Sequence, residues 1–280
     1  MAFSLDASDR VALDTCTLDH DALVDDLTGS RYPLSGTAAA LLAGCDGRVR
    51  AGDLAAEHAD AYGIDPGRLL ADLGNFVAEL ASVGLVRVRR PWRHHVVGGV
   101  LDLVVPSPVD ALVVRRRFPA TPVGCVRGVA HASRTLALLT AVWATSLTGA
   151  VAAYAPGVPL VVGLAPAAAG LAALVTIAAH EVGHLLAVRA VGGRARYVAA
   201  GPSQVGVIHD VQDPVRRRRV ALSGPTAGAT ASVVAWAALA LLPQPADALA
   251  VPLAVLMGLC HLAGLLPWCA DGRHLWTGSR

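Results

Sequence analysis

The sequence predicts a mostly α protein: a polytopic membrane body of about four transmembrane helices, preceded by a small winged-helix-like α+β domain. Three observations carry that expectation. The 280 residues are 54% apolar and 16% charged, with a mean hydropathy of +0.53, which is too apolar for an ordinary soluble domain. Four apolar segments, Leu136–Tyr154, Leu160–Arg189, Val220–Leu242 and Leu249–Trp268, each approach the ~20 residues that cross a bilayer. The charge is also split along the chain. Residues 1–90 hold 14 Asp/Glu against 8 Arg, and residues 91–280 hold 7 against 15. An acidic head (1–90) is thereby set apart from an Arg-rich connector (91–134) and an Arg-flanked apolar body (135–280).

The head reads as alternating strands followed by helices. Val11–Leu18 and Ala22–Leu27 have strand character, and Thr28-Gly29-Ser30 supplies turn chemistry after them. Ser35 can cap a helix over Gly36–Ala43 that Gly44 closes. A second helix, Ala51–Tyr62, stops at Gly63. Asp65-Pro66 opens a third, with the proline at the first helical position and Leu69, Leu70, Leu73, Phe76, Val77 and Leu80 at helical spacing. Leu85–Val88 reads as a closing strand. A winged-helix outline most often suggests DNA binding. The acidic balance opposes it, because DNA binding relies on Lys/Arg against phosphate, and the expectation is no nucleic-acid partner.

The connector is rich in Pro, Gly and Arg, with strand-like runs at Val96–Val105 and Val109–Val114. His94-His95 point apart in any regular element, so they are not read as a ligand pair. Arg115–Arg117 sits just before the first long apolar run, on a flank that the positive-inside rule makes cytoplasmic. Five scattered cysteines, Cys16, Cys45, Cys125, Cys260 and Cys269, show no C-x-x-C and suit a reducing compartment. The N-terminus carries no signal-peptide pattern.

In the body, the breaks at 155–159 and 243–247 contain no Arg, whereas the opposite flanks carry Arg189, Arg194, Arg216–Arg219 and Arg273. The positive-inside rule then predicts a multi-pass protein of the cell membrane with both termini cytoplasmic. Within the second segment lies His180-Glu181-Val182-Gly183-His184. Positions four apart share a helix face, so His180 and His184 can offer two imidazoles to one Zn2+, and Glu181 can act as the base toward a water activated there. The topology puts Asp271 at similar depth. It is either the third metal ligand or the first solvated residue past the fourth segment.

Two resemblances extend this reading. The runs Asp26–Leu42, Asp53–Pro66 and Leu73–Val86 are similar to the PqqD-like peptide-recognition family. That resemblance implies a domain over 1–90 that binds the leader of a ribosomally made precursor peptide as an added strand. The body resembles the site-2 protease family of intramembrane zinc peptidases. The matching features are His180-Glu181-x-x-His184, then Ser223-Gly224-Pro225 opening the next segment, then Leu265-Leu266-Pro267 followed by Asp271-Gly272. This second resemblance implies His180, His184 and Asp271 as zinc ligands and Glu181 as catalytic base. It also implies a hairpin around Tyr197–His209 that holds substrate, with His209 not a ligand. One departure stands out: the family's substrate-binding Asn falls at Gly264. His261, one turn earlier, either replaces it in part or is a helix-packing histidine.

The expected function is therefore intramembrane zinc endopeptidase, cleaving a precursor peptide at the cytoplasmic membrane face, with the lipid bilayer and that peptide as partners. The alternatives are regulated intramembrane proteolysis of a membrane-anchored transcription inhibitor and a non-catalytic membrane scaffold that presents peptide. Nothing in the sequence sets the oligomeric state, the peptide or the cleavage position.

Overall fold

A computed structural model describes residues 5–89, 116–154, 161–201, 205–242, 246–267 and 269–276. The connector strands and His94-His95 lie outside the described residues, as does Arg115. The chain divides into two compact units. The first comprises Met1–Pro119 with Tyr197–Gln204, and the second Ala120–Arg196 with Val205–Arg280.

In the first unit the chain opens with four short strands, β1 (Arg10–Leu13), β2 (Cys16–Asp19), β3 (Ala22–Asp25) and β4 (Arg31–Pro33). The single strand expected over Val11–Leu18 is broken because Thr15 takes a left-handed backbone, φ 58°. A β-branched residue rarely adopts that conformation, and nothing in the local sequence announces it. Strands β2, β3 and β4 form one antiparallel sheet in that order, with Leu23 opposite both Leu18 and Tyr32.

Three helices follow where capping chemistry places them. Helix α1 (Gly36–Ala43) starts at Ser35, whose hydroxyl accepts from Ala38 N–H. Helix α2 (Ala51–Tyr62) ends on Gly63 at φ 62°. Helix α3 (Pro66–Ser82) starts at Asp65, whose carboxylate accepts from Arg68 N–H at 2.9 Å. Strand β5 (Val86–Arg89) then returns antiparallel to β1, Val88 opposite Val11. Leu23, Leu42, Leu73, Val77, Leu85 and Val86 are essentially sealed from solvent and form the core. A further strand, β6 (Arg116–Pro119), pairs with β7 (Ala195–Ala200) through Phe118 opposite Val198.

One basic side chain of the Arg115–Arg117 run is buried: Arg117 is 5% exposed. Its Nη1 donates to the Asp25 carboxylate at 2.7 Å, its Nε to Gly84 O at 3.0 Å, and its Nη2 to Thr15 Oγ1 at 2.8 Å. The guanidinium also sits 5.0 Å from the centre of the Tyr197 ring. Burial would raise the Asp25 pKa, but the Arg117, Thr28 and Leu27 hydrogen bonds outweigh it and hold the carboxyl below its ordinary value.

The second unit is helical, with α4 (Pro122–Ala132), α5 (Arg134–Tyr154), α6 (Val161–Ala190), α7 (Pro214–Leu239), α8 (Ala246–Ala263), α9 (Ala270–Trp276) and one strand, β8 (Val205–His209). Helix α6 is the hub, packing against α4, α5, α7 and α8, most extensively against α7.

The expected polytopic body of about four spans is not what forms. Among the described residues helices predominate, accompanied by three β-sheets. Among the described residues one helix, Ala165–Ala190, is long and apolar enough to cross a membrane. For the third segment the reason lies in its composition. Helix α7 opens on Arg216–Arg219 and is then diluted by Ser223, Gly224, Pro225, Thr226, Thr230 and Ser232. The described apolar part of α8 is the shorter Val251–Ala263. Counting apolar residues overstates such Ala-, Gly- and Thr-rich runs, because small and hydroxyl side chains gain little from leaving water.

Candidate metal centre

The site is assembled by two helices that meet through one carboxylate. Helix α6 carries His180 and His184 one turn apart. Asp271 stands in the first turn of α9, and the loop before it is folded back so that Gly272 N–H donates to Gly264 O at 3.0 Å. His180 Nε2 lies 3.2 Å from Asp271 Oδ2, His184 Nε2 lies 3.3 Å from Asp271 Oδ1, and the two Nε2 atoms are 3.1 Å apart. Burial would raise the Asp271 pKa, but the hydrogen bonds to His180 and His184 outweigh it and hold the carboxyl far below its ordinary value.

Whether these residues fit a zinc ion can be judged from donor type, spacing and the surrounding unpaired groups. Two imidazoles and a carboxylate are ligands zinc favours, and three protein ligands leave a fourth position open. Bonds of ~2.0–2.1 Å in a tetrahedron put neighbouring ligand atoms about 3.3 Å apart, close to the observed separations. Beside them Glu181 is 5% exposed, and its Oε2 has no hydrogen-bond partner among the described residues. A buried carboxylate oxygen without a partner costs free energy on the order of 1–3 kcal/mol or more. Such a group persists where a ligand or a water completes it. The set fits zinc.

The surroundings of His184 fix its tautomer. Its Nδ1 lies 2.8 Å from Val220 O, which can only accept, so Nδ1 carries the proton and Nε2 presents its lone pair. Gly224 makes this possible. A Cβ at that position would collide with the His184 imidazole, so only glycine lets α7 come this close.

These groups open on a cleft of about 240 Å³. His180, Glu181, His184 and Asp271 supply part of its polar lining, and His209 and Arg217 the rest. His209 accepts from Val211 N–H at 3.3 Å and lies outside the three-ligand cluster. At Gly264 a Cβ would stand 4.0 Å from Asp271 Oδ2, so the position borders the site without contributing a side chain. His261 is absent from the cleft lining and instead reaches His180 from another side.

The sequence reading named His180, Glu181, His184 and Asp271, and the structure brings all four together. It did not name the Val220 carbonyl, the Gly224 contact or Arg217. Gly224 and Gly228, spaced one helical turn apart, were the available signal for close approaches of α7, the first to α6 and the second to α8.

Residues 21–86 match the family model described as coenzyme PQQ synthesis protein D (PqqD). No curated protein and no solved structure matches the chain. The match identifies residues 21–86 as a PqqD domain, the peptide-recognition part of the chain, and points to a role in peptide natural product biosynthesis with a precursor peptide.

Proposed function

We propose that the chain is a zinc-dependent endopeptidase that cuts a ribosomally made precursor peptide whose leader its PqqD domain binds. The observation that carries this reading is the cluster of His180, His184 and Asp271 beside a buried Glu181 with an unpartnered Oε2. Bound zinc would supply a Lewis acid for the scissile carbonyl and acidify water at neutral pH. Glu181 would accept one proton from the attacking water at Oε2 as the new C–O bond forms. It would return that proton to the amide nitrogen as the C–N bond breaks. A non-catalytic scaffold has no use for such a base. Holding recognition and scission in one chain raises the local peptide concentration, to roughly millimolar for a short flexible link. The leader itself would add as a strand at an edge of the β2–β3–β4 sheet, whose two edge strands are β2 and β4.

Metal analysis tests the centre. The purified chain is expected to hold about one zinc, and His184→Ala to lose it while keeping its helical circular dichroism. A folded wild-type protein that takes up no zinc would remove the reading.

The reading includes a membrane location. Its support is the apolar helix Ala165–Ala190, with Leu171, Val175 and Leu186 exposed along it. The protein is expected to stay with the membrane pellet after alkaline carbonate extraction. Quantitative release into the supernatant would contradict it.

A further inference from the structure

The two candidate zinc-binding histidines are anchored by different chemistry. His184 leans on a main-chain carbonyl, whereas His180 leans on another imidazole. His180 Nδ1 lies 3.2 Å from His261 Nδ1, with the ring centres 5.2 Å apart and the planes inclined by 31°. Two ring nitrogens share a hydrogen bond only when one of them carries the proton. The opposite nitrogen of His180, Nε2, faces His184 Nε2 and Asp271. For Nε2 to present a lone pair there, the single proton of a neutral His180 must sit on Nδ1. His261 Nδ1 is then the acceptor, and the proton of His261 sits on its own Nε2.

The helix opposite fixes the His261 ring in place. A Cβ at Gly228 of α7 would stand 2.5 Å from His261 Nδ1 and 2.7 Å from its Cγ. The ring therefore lies against bare main chain, where any larger residue would displace it. Gly224 and Gly228 serve successive turns of one helix, the first seating His184 and the second seating His261.

We propose that His261 is a positioning residue for His180, accepting its Nδ1–H and so holding Nε2 toward the metal. The proposal rests on the zinc reading of the site. Outer partners of this kind raise the basicity of a ligating imidazole, and their loss costs roughly 10–100-fold in metal affinity. His261 would not touch the substrate.

The test uses the full chain in detergent and zinc alone as probe, with affinity read by competition against a chromophoric chelator. His261→Leu removes the acceptor, whereas His261→Asn keeps a side-chain oxygen on a similar short stem. His261→Leu is expected to weaken zinc binding by roughly 10–100-fold, and His261→Asn to restore most of that loss, with both variants melting close to wild type. Nitrogen-15 shifts of the zinc-loaded wild-type protein supply a readout that needs no variant to fold: His180 should show a protonated Nδ1 and a metal-bound Nε2. Unchanged affinity in His261→Leu, equal loss in both variants, or an unprotonated His180 Nδ1 would overturn the proposal. A wild-type protein that binds no zinc would instead overturn the metal reading beneath it, so the two failures are distinguishable.

Discussion

Glu181→Gln is expected to keep its zinc and to lose cleavage of the precursor peptide. Gln has nearly the shape of Glu but cannot take a proton from water, so the loss isolates the base from the metal. A positioned general base is worth ~10²–10⁴ in rate, and a fall of that size in kcat, with zinc content unchanged, is the expected signature. The substitution should not cost stability. Glu181 is buried, and its Oε2 has no partner among the described residues, so a neutral amide relieves part of the cost of burying an incompletely paired carboxylate. The variant should melt at or above the wild-type temperature, as sites that trade stability for function do. A Glu181→Gln protein that cleaves within a few-fold of wild type would sink the assigned role.

Arg117→Met is expected to destabilise the first unit by about 3–5 kcal/mol, the usual consequence of stranding one member of a buried ion pair. The Arg117 and Asp25 side chains are 3% and 1% exposed. Methionine fills much of the arginine stem but leaves the Asp25 carboxylate buried without its guanidinium. A whole domain is stable by about 5–15 kcal/mol, so this is a large share. Arg117→Met combined with Asp25→Leu should recover part of the loss, because it removes the stranded charge while leaving Leu27 N–H, the Thr28 hydroxyl and Gly84 O without their partners.

Acid should act on the same pair. The folded Asp25 pKa is lowered, so its contribution is fully present above the unfolded carboxyl value of ~3.9 and is lost as pH falls through the folded value. Wild type should weaken as pH drops below about 4, and the Arg117→Met Asp25→Leu protein should lose that part of the dependence. Urea unfolding at neutral and acid pH reads both effects. A loss under 1 kcal/mol for Arg117→Met would show that the pair does not hold the unit together.

What the sequence made legible was local. Helices α1 and α3 start where Ser35 and Asp65 can accept from the main chain three residues on, and that chemistry needs no tertiary partner. His180 and His184 were legible for a similar reason, since a spacing of four fixes a shared face. The misses all depended on distant partners. Arg117 meets Asp25 across 92 residues, and a run of arginines gives no sign that one of them is buried. His261 meets His180 across 81 residues and sits against Gly228, on a different helix from either. Strand β4 is three residues of Arg, Tyr and Pro, too short and too polar to show a period. In the apolar body the mismatch is clearest in α7, where small and hydroxyl side chains add length but little hydropathy. Helix α7 has the length of a span, but its Ser, Thr, Gly and Pro lower its hydropathy below that of Ala165–Ala190.

Mass spectrometry of a precursor peptide co-expressed with the full chain tests the central claim most directly. The account predicts a single new peptide bond scission, giving two fragments whose masses sum to the precursor plus one water. It also predicts that the scission disappears with Glu181→Gln and with chelation of zinc. A precursor that co-purifies with the PqqD domain yet remains intact beside the zinc-loaded wild-type protein would contradict it.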